Sequence, residues 1–184
     1  NSSTPKSVFK SNRIMSFDED SHGTIWIGTF LSGLYSFSSV DNKFTHYNSP
    51  EFKKFNINTS SIRKVLVDHL DNIWLGSRSG LFKIQKNNDS SFKVSSLNEQ
   101  MNTIEGIRPE PSIIFSLFED QENQLWIGTL GHGLFNYNAV TDSINWYNSK
   151  NGLIHEMISL ITQDKSGALW IGGDKGISKL NIEK

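Results

Sequence analysis

Ile25-Trp26-Ile27-Gly28, Ile73-Trp74-Leu75-Gly76, Leu125-Trp126-Ile127-Gly128 and Leu169-Trp170-Ile171-Gly172 are one motif written four times. Successive tryptophans are 48, 52 and 44 residues apart, the period of single propeller blades. The surroundings repeat as well. Six residues before each Trp stands an Asp (Asp20, Asp68, Asp120, Asp164), and three before it a turn former (Gly23, Asp71, Asn123, Gly167). Six or seven residues after it comes a glycine that leads an apolar residue (Gly33, Gly80, Gly133, Gly176). Units one and three match at an offset of 100, through Thr29/Thr129, Leu34/Leu134, Val40/Val140 and Tyr47/Tyr147.

Each unit reads as four short strands. Apolar residues ahead of the Asp form the first (Ile14 to Phe17, Ile62 to Val67, Ile113 to Phe118, Met157 to Ile161), and the Asp enters a tight polar turn. The Trp strand is apolar on both faces, as suits an inner strand pressed between neighbours. A third strand follows the later glycine, and a turn such as Val40-Asp41-Asn42-Lys43 leads to an outer strand, Phe44 to Tyr47 or Ile144 to Tyr147. Four strands per unit with hardly any helical period describe an all-β chain, a β-propeller fragment of four four-stranded blades. The competing architecture, a parallel β-helix, has shorter repeats. Blades are expected at about 13–49, 61–97, 112–149 and 156–184, the last ending after its third strand. Residues 1–12 form an N-terminal segment with a spare outer strand, Ser7 to Lys10. Closure is expected from a partner copy or from further blades rather than from a four-bladed ring, because an unpaired edge invites association.

A residue present in every unit does the same job four times, which points to scaffold. Trp26, Trp74, Trp126 and Trp170 read as packing between blades, each needing one partner for its N–H. Asp20, Asp68, Asp120 and Asp164 read as caps that accept backbone N–H groups of the following turn. The repeated glycines read as positive-φ or close-packing positions.

Composition narrows function by exclusion. Lys and Arg number 18 against 19 Asp and Glu, for a net charge of −1, so no basic field exists to hold nucleic acid. There is no Cys, which removes disulfides and thiolate chemistry. No apolar run approaches the roughly 20 residues of a membrane-spanning helix, so no membrane contact is expected of this segment. The chain opens on Asn1 rather than Met and is expected to be a piece of something longer. The five His (His22, His46, His69, His132, His155) show no pair at metal-ligand spacing, and no metal or cofactor is expected. No nucleophile elbow appears, and Arg13, Arg63, Arg78 and Arg108 are the whole arginine supply, thin for the carboxylate clamp of a propeller glycosidase. Catalysis, as a fragment of a propeller glycosidase or lyase, is the less favoured alternative.

The frame Asp20-Ser21-His22-Gly23-Thr24-Ile25-Trp26-Ile27-Gly28-Thr29, repeated at Asp120 to Thr129, resembles the two-component regulator propeller repeat. Ser77 and Gly173 replace the Thr in units two and four, which puts only loop equivalence in doubt. The resemblance implies a periplasmic sensor region of a hybrid histidine kinase, as in Bacteroidetes, taking part in glycan sensing or receptor dimerisation. Any kinase would lie outside this chain. A structural or protein-interaction propeller with no ligand of its own is the other reading.

Ligand contact is sought where the repeat breaks. In a four-stranded blade the link between second and third strands and the link to the next blade emerge on one face. Phe30, Arg78, His132, Asp174 and Lys175 lie on the first set of links and could stack on or hydrogen-bond an oligosaccharide. The second set includes two long segments, Asn48 to Ser61 and Ser96 to Ser112. Pro109 and Pro111 predict an irregular path for the latter, carrying Arg108 near the same site. Trp146 stands where unit one has His46, and reads as a contact residue or local packing.

Overall fold

The computed structural model describes residues 9–10, 13–57, 59–107 and 112–182. Blade one is built from β1 (Ile14–Glu19), β2 (Thr24–Thr29), β3 (Leu34–Ser38) and β4 (Lys43–His46). After a short helix α1 (Pro50–Lys54) comes blade two: β5 (Ile62–Val67), β6 (Ile73–Ser77), β7 (Gly80–Lys86) and β8 (Phe92–Ser96). Helix α2 (Asn98–Asn102) leads to blade three, β9 (Ile114–Glu119), β10 (Leu125–Thr129), β11 (Leu134–Asn138) and β12 (Ser143–Tyr147). Blade four is β13 (Ile158–Gln163), β14 (Leu169–Gly173) and β15 (Gly176–Leu180). Each sheet is an antiparallel meander in chain order, three of four strands and the last of three among the described residues. The first strands stand side by side, β1 against β5, β5 against β9 and β9 against β13. The sheets therefore fan around a common axis, and the chain is an all-β propeller segment.

The apolar clusters lie between blades rather than within them. Trp26 and Leu34 of blade one pack with Ile62, Val65, Ile73, Leu75, Phe82 and Ile84 of blade two. Trp74 and Leu81 of blade two pack with Ile114, Leu125, Ile127 and Tyr137 of blade three, and Trp126 and Leu134 with Ile158, Leu169 and Ile171 of blade four. A Trp strand with apolar residues on both faces is thus what this arrangement requires: β6 and β10 are buried along their whole length.

Gly28, Gly76 and Gly128 set the blade spacing. A Cβ on each would lie 2.8, 2.7 and 2.7 Å from the Cγ2 of Ile62, Ile114 and Ile158, the residue that opens or precedes the bulge in the next blade's inner strand. Any larger residue would push the blades apart. Gly33 and Gly133 serve differently, with φ of 71° and 75°, a left-handed turn that only glycine adopts without strain.

The long connection after blade two departs from the irregular path its prolines predict. Its first part is helical over Asn98–Asn102, and Leu97 at its start, Met101 within it and Ile104 just beyond it all pack on the cluster between blades two and three. Pro109 and Pro111, like Arg108, lie outside the described residues. In α1, Pro50 opens the helix, Glu51 sits in its first turn and Lys53 and Lys54 in its last, in accord with the helix dipole; Phe52 anchors it in the core. Of the spare N-terminal strand, Ser7 and Val8 lie outside the described residues. Phe9 and Lys10 lie against blade one, the Phe9 ring edge-on to Tyr35 at 4.9 Å and to Phe44 at 5.3 Å.

Candidate functional site

The repeated Asp and Trp act on each other. Each indole N–H donates to the Asp six residues earlier, at 2.9 Å for Trp26–Asp20, 2.8 Å for Trp74–Asp68, 2.7 Å for Trp126–Asp120 and 2.8 Å for Trp170–Asp164. The other carboxylate oxygen accepts the backbone N–H groups two and four residues on, as with His22 and Thr24 at Asp20 or Glu122 and Gln124 at Asp120. One carboxylate thus closes the turn and fixes the ring of the next strand. Packing need and turn cap were both legible separately in the sequence; that each is the other's partner was not, although the constant spacing of six carried it. At Asp164 the Ser166 hydroxyl, then the Trp170 N–H, hold the carboxyl well below the usual carboxylate range.

On that turn face adjacent blades are also tied. Ser21 N–H donates to Asp71 at 2.9 Å, His69 N–H to Glu119 at 2.9 Å, and Gln121 N–H to the Gln163 side chain at 3.0 Å. A groove of about 680 Å³ opens there between blades one and two, lined by His22, Leu70, Asp71, Lys86 and Phe92 among others. None of the sequence-predicted ligand residues lines it.

Phe30, Arg78, His132, Asp174 and Lys175 stand at the opposite face, where the two sets of links meet, and Arg108 lies outside the described residues. Phe30 N–H donates to the Arg13 carbonyl, Gly33 N–H to the Ser60 carbonyl and Gly133 N–H to the Glu156 carbonyl, so the second-to-third-strand links of blades one and three are bonded to segments entering a blade. The outer strands fix the same links from below. His46 Nε2 sits 3.0 Å from the Ser32 carbonyl oxygen with its ring stacked on Tyr35 at 4.3 Å. Trp146 donates to the His132 carbonyl at 2.5 Å and stacks on Phe135 at 6.4 Å. His46 and Trp146 are one device in two residue types, so Trp146 is local packing rather than a free contact residue. In blade two Asn98 takes this place, donating to the Ser79 carbonyl at 2.8 Å. His132 is itself engaged, with Nδ1 2.7 Å from the Ser112 hydroxyl. Asp174 and Lys175 stand exposed at the tip of the β14–β15 hairpin, two blades from Arg78.

What the structure brings together is an arginine group that the sequence offered only as a short supply. Arg63 is the bulged residue of β5, between Ile62 paired with Ser77 and Lys64 paired with Gly76; Arg78 follows Ser77 on the adjoining link. Arg13 immediately precedes β1, the neighbouring inner strand. The Arg63 guanidinium lies 4.5 Å over the Phe115 ring and that of Arg13 4.5 Å over Phe30. Burial first, then the charges of Arg78 and Arg13, push the Arg63 pKa down from its ordinary value. Arg63 Nε is buried without a hydrogen-bond partner among the described residues. Chemically, such a group binds an oxyanion through fixed N–H forks, beside aromatic faces that suit a sugar ring. Among the described residues no cluster of three or more His, Asp or Glu is placed to hold a metal, and no helix is long and apolar enough to cross a membrane.

The sequence profile of the two component regulator propeller family matches residues 9–30 and 109–131, two of the four repeated frames. Those two stretches are similar to two-component regulator propeller repeats. A histidine kinase P4 from Formosa agariphila is 22% identical over 180 residues, which are 96% of this chain and 13% of that protein. The extracellular domain of a hybrid two component system, BT3049 of B. thetaiotaomicron, superposes with a TM-score of 0.74 at 21% identity, over 97% of this chain and 23% of that one. A virginiamycin B lyase from Staphylococcus aureus shares the fold at a TM-score of 0.64 and 14% identity, over 96% of this chain and 59% of the lyase. The chain therefore spans less than a quarter of the two sensor relatives. The propeller repeat is common ground among proteins of different function.

Proposed function

We propose that this segment is a non-catalytic part of the extracytoplasmic, periplasmic sensor propeller of a hybrid two-component system, where it takes part in recognising a glycan at the link face. The observation that carries the reading is the four-fold Asp–Trp frame together with the family match on two of its copies. The extracellular placement of the sensor domain like this one supports the location. The non-catalytic reading rests on the four repeated carboxylates: each is taken up by its own turn and its own Trp, which leaves none of them as an acid or base in the repeat frame. The link face suits recognition because its backbone is fixed by His46, Asn98 and Trp146, so a ligand would meet preordered groups.

Calorimetry against a panel of neutral and acidic oligosaccharides tests this. Heat of binding that is lost in Arg78→Ala or His132→Ala supports it. Silence across the panel, with a self-association equilibrium in sedimentation instead, would replace it by the dimerisation reading.

A further inference from the structure

The repeat breaks on the turn face as well as on the link face. In blades one and three the hairpin between third and fourth strands ends on the pairs Ser38–Lys43 and Asn138–Ser143. Blade two carries its hairpin one pair further, to Lys86–Phe92, and residues directly opposite in a ladder share one face of the sheet. That face is turned to blade one, because side chains alternate along a strand and Ile84, two residues before Lys86, packs with Trp26. The added pair reaches across the junction: the Phe92 ring lies edge-on to Tyr47 at 5.4 Å and to Trp26 at 6.1 Å. Lys86, Asn87 and Phe92 thereby line the groove of about 680 Å³ between the two blades, a size within the roughly 300–1,000 Å³ of small-ligand sites. A groove of about 500 Å³ stands at the equivalent turns of blades three and four, with Ile182 in the place of Lys86, Glu122 in that of His22 and Gly167 in that of Asp71, and no aromatic residue lines it.

The groove of blades one and two is formed before any ligand arrives. Tyr47 and Phe92 are fixed by their contact with each other and with Trp26. Among the polar lining residues, Gln85 donates to Asn72 at 3.1 Å, Asn87 to Ser91 at 2.8 Å, and Asp71 accepts the Ser21 N–H at 2.9 Å. Two carboxylates, Asp20 and Asp71, and two ammonium groups, Lys83 and Lys86, are among the lining residues and balance. Asp20 is taken up by its turn and by Trp26, and the Lys83 ammonium lies 5.0 Å over the Trp74 ring. Lys86 is exposed and enters none of the ion pairs among the described residues.

We propose that this groove binds an uncharged saccharide, with a sugar ring against Tyr47 and Phe92 and its hydroxyls on Lys86, Asn87 and Asp71. A sugar ring has an apolar C–H side and a rim of groups that both donate and accept, and the groove sets aromatic residues beside an ammonium, an amide and a carboxylate. An ion would meet no net charge there. A wholly apolar molecule would take water from the ammonium and the carboxylate without replacing its hydrogen bonds. The site lies on the face opposite the links and does not depend on the link face being a ligand face.

The test is calorimetry of the chain with maltotriose, cellotriose, mannotriose and trigalacturonate, with amide chemical shifts to place what binds. At least one uncharged trisaccharide is expected to bind and to shift the amides of Leu70, Asn87 and Phe92. Its affinity should fall at least about tenfold in Phe92→Ala and about threefold in Lys86→Ala. It should be unchanged in Lys165→Ala, which alters the equivalent turn of blade four. Because Lys86 is exposed, Lys86→Ala and the amide shifts decide the matter even if Phe92→Ala is poorly folded. No uncharged trisaccharide bound, or trigalacturonate bound more tightly than all three, overturns the site. Shifts at Arg78 and His132, with binding lost in Arg78→Ala and kept in Lys86→Ala, also overturn it while upholding recognition at the link face.

Discussion

Blade three and blade four carry the same frame, and bury it to different depths. Trp126 and Trp170 donate to their own Asp at 2.7 and 2.8 Å, yet Trp126 is 2% exposed and Trp170 38%. The difference is the next blade. Trp126 is covered by Leu169 and Ile171, with Leu180 at the margin, just as Trp26 is covered by Ile84 and Trp74 by Tyr137. No described residue follows blade four to cover Trp170, and Leu160 and Ile177 are exposed with it. The hydrogen bond belongs to the unit, and the hydrophobic burial belongs to the junction. Repeat stability is then a sum of unit and nearest-neighbour contributions, with the larger share in the junctions.

The strongest way to break this comparison is to truncate both rings. Trp126→Ala should lose about 3–5 kcal/mol, as large buried truncations do. Trp170→Ala removes a ring already open to water on one face, and should lose about 1–2 kcal/mol. Urea unfolding of the two variants measures the gap. Equal losses would mean that the Trp acts mainly through its Asp, within one blade.

A smaller effect sharpens the same point at the glycines. Gly76→Ala drives a methyl into Ile114 at 2.7 Å, the opening residue of the next blade, and should cost about 1–3 kcal/mol through overpacking. Gly172→Ala meets only Leu160 of its own blade at 3.4 Å, and should stay within about 0.5 kcal/mol of the parent. A costly Gly172→Ala, read from the melting temperature, would show that the glycine serves the strand and not the junction.

The junctions also explain what the sequence could and could not tell. Blade architecture was legible because the Asp–Trp–Gly frame recurs at fixed spacing, and spacing within a unit is a local property. The helix at Asn98–Asn102 was overshadowed by the prolines further along, and at five residues it is too short to show an apolar period of its own. The arginine group was not legible at all. Arg13, Arg63 and Arg78 occupy different places in the repeat, and only the fan of inner strands, with the bulge at Arg63, sets them on one rim. The equivalence of His46 and Trp146 was half visible, since the offset of 100 aligned them but gave no sign that both hold a link carbonyl.

The smallest expected effect lies at alkaline pH and again turns on a junction residue. Tyr137, which covers Trp74 across blades two and three, occupies the strand register that Leu180 holds in blade four: it pairs with Leu125 as Leu180 pairs with Leu169. Burial first, then its hydrogen bond to Asp142 at 3.0 Å, push its phenol pKa up to about 12 from 10.0. A group whose folded pKa is raised keeps its proton in the fold after the unfolded chain has lost it. Its contribution is therefore fully present below about pH 10 and is lost as pH rises towards 12. The parent's melting temperature should fall through this window more steeply than that of Tyr137→Phe. The fall should not vanish in the variant, because Tyr47 is also raised by burial. Replacing Leu180, which has nothing to titrate, by Ala should lower the whole curve without changing its slope there. Parallel slopes for the parent and Tyr137→Phe would mean that the phenol at the blade two–three junction is open to water in solution.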